Sequence, residues 1–212
     1  TLYAGTAAGM FKTTNGGASW AQQTTGVSDE LTAVYFTDAS HGWAAGDNGR
    51  LLWTNNGGGP WNAPTLGTSQ FLAIDFFGSD LGAVVGRNGA VYVTSNAGNN
   101  GGNWIAGGAT GSGGSLDLEA VDYAAANALY IGGAERTILA AGNATVLKST
   151  NGGAAWGALV PADLTKRNEF MSYGYVTDLS FSSATTGWAV WTFTSIDPTS
   201  GAAWAAGGDA RL

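Results

Sequence analysis

Cysteine is absent from this 212-residue chain, which excludes disulfides, thiolate metal sites and cysteine nucleophiles. Its absence leaves the compartment open, because a cysteine-free protein persists in either redox environment. Charge is scarce: Asp, Glu, Lys and Arg make up 11 % of the residues, against roughly a quarter in ordinary globular proteins. What charge there is runs acidic, 15 acids against 8 bases for a net −7. That balance argues against nucleic acid as a partner, since phosphate binding needs a basic face. No run of about 20 apolar residues occurs, so no membrane-spanning helix is expected. The 35 glycines follow no Gly-X-Y period, which excludes collagen. Apolar residues at 44 % suffice for a core, and nine Trp, eight Phe and seven Tyr are expected to do most of its packing. The chain opens Thr1-Leu2-Tyr3, without an initiator Met or a signal-peptide pattern, and reads as a processed protein or an excerpt of a longer one.

The strongest signal present is internal repetition. Thr13-Thr14-Asn15-Gly16-Gly17-Ala18-Ser19-Trp20 recurs as Thr54-Asn55-Asn56-Gly57-Gly58-Gly59-Pro60-Trp61 and as Ser149-Thr150-Asn151-Gly152-Gly153-Ala154-Ala155-Trp156. A longer copy runs from Thr94 through Asn96 to Trp104, and a fifth candidate from Ser195-Ile196-Asp197 to Trp204. The tryptophans step by 41, 43, 52 and 48 residues. Periods of roughly 40 to 50 residues holding several short strands read as propeller blades.

Each turn is preceded by a six-residue β-branched and aromatic segment: Leu31–Phe36, Phe71–Phe76, Leu118–Tyr123 and Val176–Phe181. A Gly-Trp strand follows at Gly42-Trp43 and Gly187-Trp188, with weaker counterparts at Gly82-Ala83 and Leu129-Tyr130. A third strand, an Asn-Gly-Gly turn and a last strand opened by Trp complete a four-stranded antiparallel meander. The predicted fold class is all-β: one propeller domain over 1–212, with blades near 1–29, 30–69, 70–115, 116–175 and 176–212. Five blades close a ring if a C-terminal strand supplies the missing first strand of the N-terminal blade. The alternative is a fragment of a six- or seven-bladed ring, because Trp204 to Leu212 matches Trp43 to Leu51 in its Trp, Gly, Arg and Leu.

The turn motif has a structural purpose. Asn and Gly tolerate the positive φ that tight hairpins demand, and a hydroxyl two residues earlier helps close the loop. Thr13, Asn15, Gly17 and Trp20 form the first motif, and Thr54, Asn56, Gly58 and Trp61 the second. Asn96 and Trp104 anchor the long copy, and Ser149, Asn151, Gly153 and Trp156 the last. Trp20, Trp61 and Trp156 are expected to be largely buried beside their hairpins.

The pattern Ser/Thr-x-Asp/Asn-x-Gly-x-x-Trp resembles the Asp-box, or bacterial neuraminidase repeat. The fuller unit, best seen from Leu31 to Trp61, resembles the repeat of the photosystem II stability and assembly factor family. That resemblance implies a propeller and a lumenal or periplasmic protein partner. The same repeats occur in secreted sialidases, xyloglucan-cleaving glycoside hydrolases, sortilin-type receptors, lumenal assembly factors and many bacterial and phage proteins.

Catalytic candidates are few, and no catalytic residue is assigned. His41, the single histidine, sits in the turn Asp38-Ala39-Ser40-His41-Gly42 and reads as a solvated turn residue. No Gly-x-Ser-x-Gly elbow, EF-hand or phosphate loop occurs, so no metal and no cofactor are expected. Asp75 and Asp122 hold equivalent first-strand positions, matched by Tyr35 and Ser180, with Glu119 and Asp178 beside that row. They are read as hydrating an axial channel, or else as a carboxylate pair for glycoside hydrolysis. Arg50, Arg87 and Arg136 fall near one inter-strand turn and are expected to share a rim. Pro161 to Tyr175 interrupts the repeat and concentrates charge and aromatics, which makes Arg167, Phe170 and Tyr173 candidate contacts on a projecting loop.

The expected function is a non-catalytic extracytoplasmic scaffold that presents its faces to a protein or glycan. The alternatives are an Asp-box glycoside hydrolase and a cell-surface or virion adhesion module.

Overall fold

The computed structural model describes residues 1–97, 101–110, 116–135, 144–159, 172–196 and 203–211. The regular elements among them are strands, apart from two single 3-10 turns. They form five antiparallel sheets in chain order, the blades of a β-propeller. Blade 1 holds β1 (Leu2–Thr6), β2 (Gly9–Thr13) and β3 (Ala21–Gln23). Blade 2 holds β4 (Leu31–Phe36), β5 (Gly42–Gly46) and β6 (Leu51–Thr54), with isolated bridges Trp53–Asn62 and Arg50–Thr65 standing for a fourth strand. Blade 3 is the four strands β7 (Phe71–Phe77), β8 (Leu81–Gly86), β9 (Val91–Thr94) and β10 (Ile105–Ala106). Blade 4 is β11 (Leu116–Ala125), β12 (Ala128–Glu135), β13 (Ala144–Ser149) and β14 (Gly157–Leu159). Blade 5 is β15 (Ser172–Ser183), β16 (Thr186–Ile196) and β17 (Ala203–Arg211).

The first strands β4, β7, β11 and β15 pack against one another in succession, and β1 packs on β4. The strands β4, β7, β11 and β15 therefore form the inner wall, β1 and β2 take the second and third places of blade 1, and the tryptophan-opened strands lie outside.

The recurrent Gly-Trp step has a steric cause. Phe36, Phe76 and Phe181 stand directly across from Gly42, Gly82 and Gly187 in the strand register. A Cβ on any of those glycines would overlap the facing ring, so the aromatic lies flat over bare backbone. Glycine also recurs at or near the end of the second strand. A Cβ on Gly46, Gly86 or Gly133 would collide with the carbonyl of Glu30, Gln70 or Asp117, where the first strand carries a bulge.

The core lies between blades rather than within one. Met10 and Tyr3 of blade 1 pack with Leu31, Ala44, Leu52 and Trp61 of blade 2. Trp43 and Leu51 of blade 2 pack with Phe71, Phe76 and Trp104 of blade 3. Each motif tryptophan is thus covered by the blade that precedes it. This explains a departure from expectation: Trp61 is 7 % exposed, but Trp20 is 44 % exposed. Trp20 belongs to the first sheet, and no described blade precedes that sheet to cover the indole.

A second departure concerns Trp204. β17 pairs with β16 along its whole length, with Ser195 opposite Trp204 and Trp188 opposite Arg211. Trp204 therefore opens a third strand, so Ser195 to Trp204 is not a fifth copy of the Asn-Gly motif between third and fourth strands.

Candidate binding faces

The motif turns are built alike, from short-range hydrogen bonds. Thr13 Oγ1 donates to Asn15 Oδ1 at 2.8 Å and accepts from the Asn15 and Gly17 amides at 3.3 and 3.0 Å. Asn15 Oδ1 also accepts the Ser19 amide at 3.0 Å. In blade 2, Thr54 bonds Asn56 and the Gly58 amide, and Asn56 Oδ1 accepts the Gly59 amide at 3.0 Å. In blade 4, Ser149 bonds Asn151 and the Gly153 amide, and Asn151 Oδ1 accepts the Ala155 amide at 2.9 Å. The blade 3 copy keeps the Thr94–Asn96 bond, while Asn96 Oδ1 reaches the Asn103 amide at 2.7 Å and Trp104 Nε1 donates to Gly101 O. Gly16 and Gly17 both take positive φ, 72° and 94°, and the later copies repeat this. The side-chain oxygen of Asn accepts the turn's closing bonds, which a carboxylate does equally well, although in blade 1 Asn15 Nδ2 also donates to Ser19 Oγ at 2.9 Å.

The aligned first-strand positions join one blade to the next. Asp75 Oδ2 accepts the Tyr123 amide at 2.6 Å, across 48 residues of sequence. Asp122 Oδ2 accepts the Phe181 amide at 2.6 Å, across 59. Tyr35, at the same position in blade 2, donates its hydroxyl to Phe76 O at 3.3 Å. The two aspartates are half-buried rather than fully solvated. Desolvation raises both pKa values, that of Asp122 to about 6, with smaller contributions from neighbouring Asp75 and Asp178. Burial, helped by Asp75, pushes the Tyr123 phenol up to about 12 and also raises Tyr35. The row of aligned positions thus also staples one blade to the next. Sequence reasoning found the row but not its partners, which lie one blade away.

Arg50 and Arg87 lie at the same inter-strand turn of successive blades but at different positions within it. Arg87 opens its 3-10 turn (Arg87–Gly89) at the position Asp47 takes in Asp47–Gly49, whereas Arg50 follows its turn, where blade 3 has Ala90. Arg50 bonds Asp29 at 3.0 Å, Ala63 O at 3.1 Å and Thr65 at 3.0 Å. Arg87 bonds Gln70 at 2.6 Å and Asp117 at 3.1 Å. Gln70 in turn donates to Asp47. This chain of Asp47, Gln70, Arg87 and Asp117 crosses from blade 2 to blade 4, so Arg50 and Arg87 brace the ring instead of offering guanidinium groups to an anion. Arg136 lies outside the described residues.

His41 behaves as a turn residue. Its Nδ1 lies 2.8 Å from Asp38 Oδ2, with both side chains well exposed. The Ser40 and His41 amides also bond Asp38, and the His41 and Ser40 amides hold its carboxyl down to about 2. Among the described residues, no group of three or more His, Cys, Asp or Glu is placed to hold a metal.

Of the inserted segment 161–175, residues 161–171 lie outside the described residues, Arg167 and Phe170 among them. Ser172 to Tyr175 begin β15 and pair with β16, Tyr173 opposite Thr194. Tyr173 therefore belongs to an extended first strand and not to a projecting loop, because a longer β16 gives that strand a partner.

Comparison with known proteins places this geometry. A solved structure described as YCF48 bound to D1 peptide has a TM-score of 0.56 and 20 % sequence identity, covering 85 % of this chain and 56 % of that one. YCF48 from Cyanidioschyzon merolae gives 0.55 and 17 %, covering 89 % of this chain and 75 % of that one. At such identities the likeness concerns the fold, and the chain spans little more than half the length of the first structure. No curated protein matches in sequence. The family model described as Photosynthesis system II assembly factor YCF48 matches residues 2–120, more than half of the chain. The chain therefore belongs to the Photosynthesis system II assembly factor YCF48 family.

Proposed function

We propose that this chain is a non-catalytic, protein-binding propeller that docks a polypeptide segment of a partner during assembly of a larger complex. Membership of the YCF48 family carries this reading, and a member of the fold is described in complex with a D1 peptide. The chemistry of the described residues supports it. Asp75 and Asp122, the best catalytic candidates, each commit an oxygen to a backbone amide of the next blade. An extracytoplasmic location is part of the same proposal, and so is a contact role for the charged segment from Pro161 to Tyr175.

The test is fluorescence polarisation with a labelled D1 peptide, beside a scrambled peptide of the same composition. Saturable binding of the D1 sequence alone is the expected result. Equal binding of both peptides, or none, overturns the docking proposal. Deleting residues 162–170 is expected to weaken binding while leaving the thermal transition in place. A deletion variant that folds and binds normally removes the segment from the interface.

A further inference from the structure

Opposite positions on the second and third strands of each blade plug the junction with the next blade. The pairs are Tyr3–Lys12 in blade 1, Trp43–Trp53 in blade 2, Ala83–Val93 in blade 3 and Tyr130–Lys148 in blade 4. In blade 1 the Tyr3 hydroxyl and the Lys12 ammonium both donate to Gly57 O, at 2.7 and 2.6 Å. In blade 4 Tyr130 and Lys148 both donate to Ala184 O, at 2.6 and 2.9 Å. In both places the ammonium lies over the tyrosine ring, 5.3 and 5.0 Å from its centroid. The aromatic plug stacks on the next blade's first-strand ring: Tyr3 on Phe36 at 3.8 Å, Trp43 against Phe76 at 4.5 Å, Tyr130 on Phe181 at 3.6 Å.

Blade 3 breaks this pattern. Ala83 and Val93 carry neither ring nor donor, and the junction with blade 4 holds an open pocket of about 380 Å³. Val93, at the place of the two lysines, lines it. So do Gly152, the counterpart of Gly57 in the blade 4 motif, and Ala126, the counterpart of Ala184 in the blade 4 hairpin. The counterparts of the two residues whose carbonyls hold an ammonium at the other junctions thus both border a space from which the lysine is missing. Tyr123 adds a ring to the wall. The net charge of −7 favours a cation as the visitor.

We infer that the pocket between blades 3 and 4 receives the lysine side chain of a docked polypeptide, its stem over Val93 and its ammonium on the carbonyls of Ala126 and Gly152. The inference rests on the docking proposal and names the side chain this face selects. An unplugged junction would otherwise leave backbone acceptors without the charged donor that the fold supplies elsewhere.

The experiment is amide-resolved NMR titration of the whole chain with Nα-acetyl-lysine methylamide, beside Nα-acetyl-norleucine methylamide, which keeps the stem and lacks the charge. The expected result is a saturable shift of the Asn96, Ala126 and Gly152 amides with the lysine probe, at least about tenfold weaker with norleucine. Val93→Lys is expected to fold, since the same residue serves at this position in blades 1 and 4, and to abolish the response by filling the pocket from within. Ala126→Leu, at an exposed hairpin position, blocks the mouth independently should Val93→Lys not fold. Equal response to norleucine, shifts centred elsewhere, or full binding in either blocked variant overturns the inference. D1-peptide binding that survives both blocked variants overturns the pocket and leaves the docking proposal standing.

Discussion

Trp20 and Trp61 occupy the same motif position in successive blades but not the same environment, so one substitution made at both sites isolates what the preceding blade contributes. A tryptophan buries about 150–250 Å², which at ~25 cal/mol per Å² corresponds to about 4–6 kcal/mol. Trp61 is 7 % exposed and enclosed by Met10, Leu52 and Tyr3, with Phe36 edge-on at 6.1 Å. Its indole N–H finds no acceptor among the described residues, and that unmet donor offsets about 1–3 kcal/mol of the gain. A cavity left by truncation acts in the opposite sense. The expected cost of Trp61→Ala is about 3–5 kcal/mol, the range for large core aromatics. Trp20 is 44 % exposed, loses less area and leaves no closed cavity, so Trp20→Ala is expected to cost about 1–2 kcal/mol. Urea unfolding followed by far-ultraviolet circular dichroism measures both, with equal m-values required for the comparison. Equal costs at the two sites would refute the claim that the preceding blade, rather than the hairpin itself, buries the motif tryptophan.

Three further outcomes are expected. Asp122 has a folded pKa near 6 against an ordinary 3.8, so the folded state holds its proton more tightly. Its contribution to stability is full below about pH 4 and is lost as pH rises to about 6; thermal melts across that window should show a fall that Asp122→Asn flattens, and a slope unchanged in the variant would contradict the desolvation of this carboxyl between blades. Arg87→Met removes a donor from Asp117, which is 10 % exposed, and should cost about 1.5–3 kcal/mol in chemical denaturation, the value of a hydrogen bond to a charged group; a cost near zero would mean the Gln70–Arg87–Asp117 chain does not brace the blades. Asn56→Asp should leave stability within about 0.5 kcal/mol of the parent while Asn56→Ala loses about 1–2 kcal/mol, because two donors, Thr54 Oγ1 and the Gly59 amide, need only an acceptor there; equal losses for both variants would sink the acceptor argument.

The single blade is legible in consecutive residues. The Asn-Gly turn is closed by bonds between residues two to four positions apart, as in Thr13–Asn15 and Ser149–Gly153, so its chemistry is complete in eight consecutive residues. The Gly-Trp step and the alternation of short apolar segments are legible for the same reason: antiparallel neighbours in a meander are neighbours in the chain. What joins one blade to the next was decided only in three dimensions. Asp75 and Asp122 align in the sequence as equivalents, yet their partners stand 48 and 59 residues away, beyond the reach of any local pattern. Arg50 and Arg87 look alike in sequence and differ in register, and each is neutralised by an acid that no spacing rule connects to it. Trp20 and Trp61 share a motif and differ in burial, because burial depends on the neighbouring sheet. The small pair Ala83 and Val93 reads as ordinary strand; only its place among the Tyr–Lys and Trp–Trp plugs reveals a pocket. Hydrogen bonding within a blade follows the chain, whereas packing between blades follows the ring.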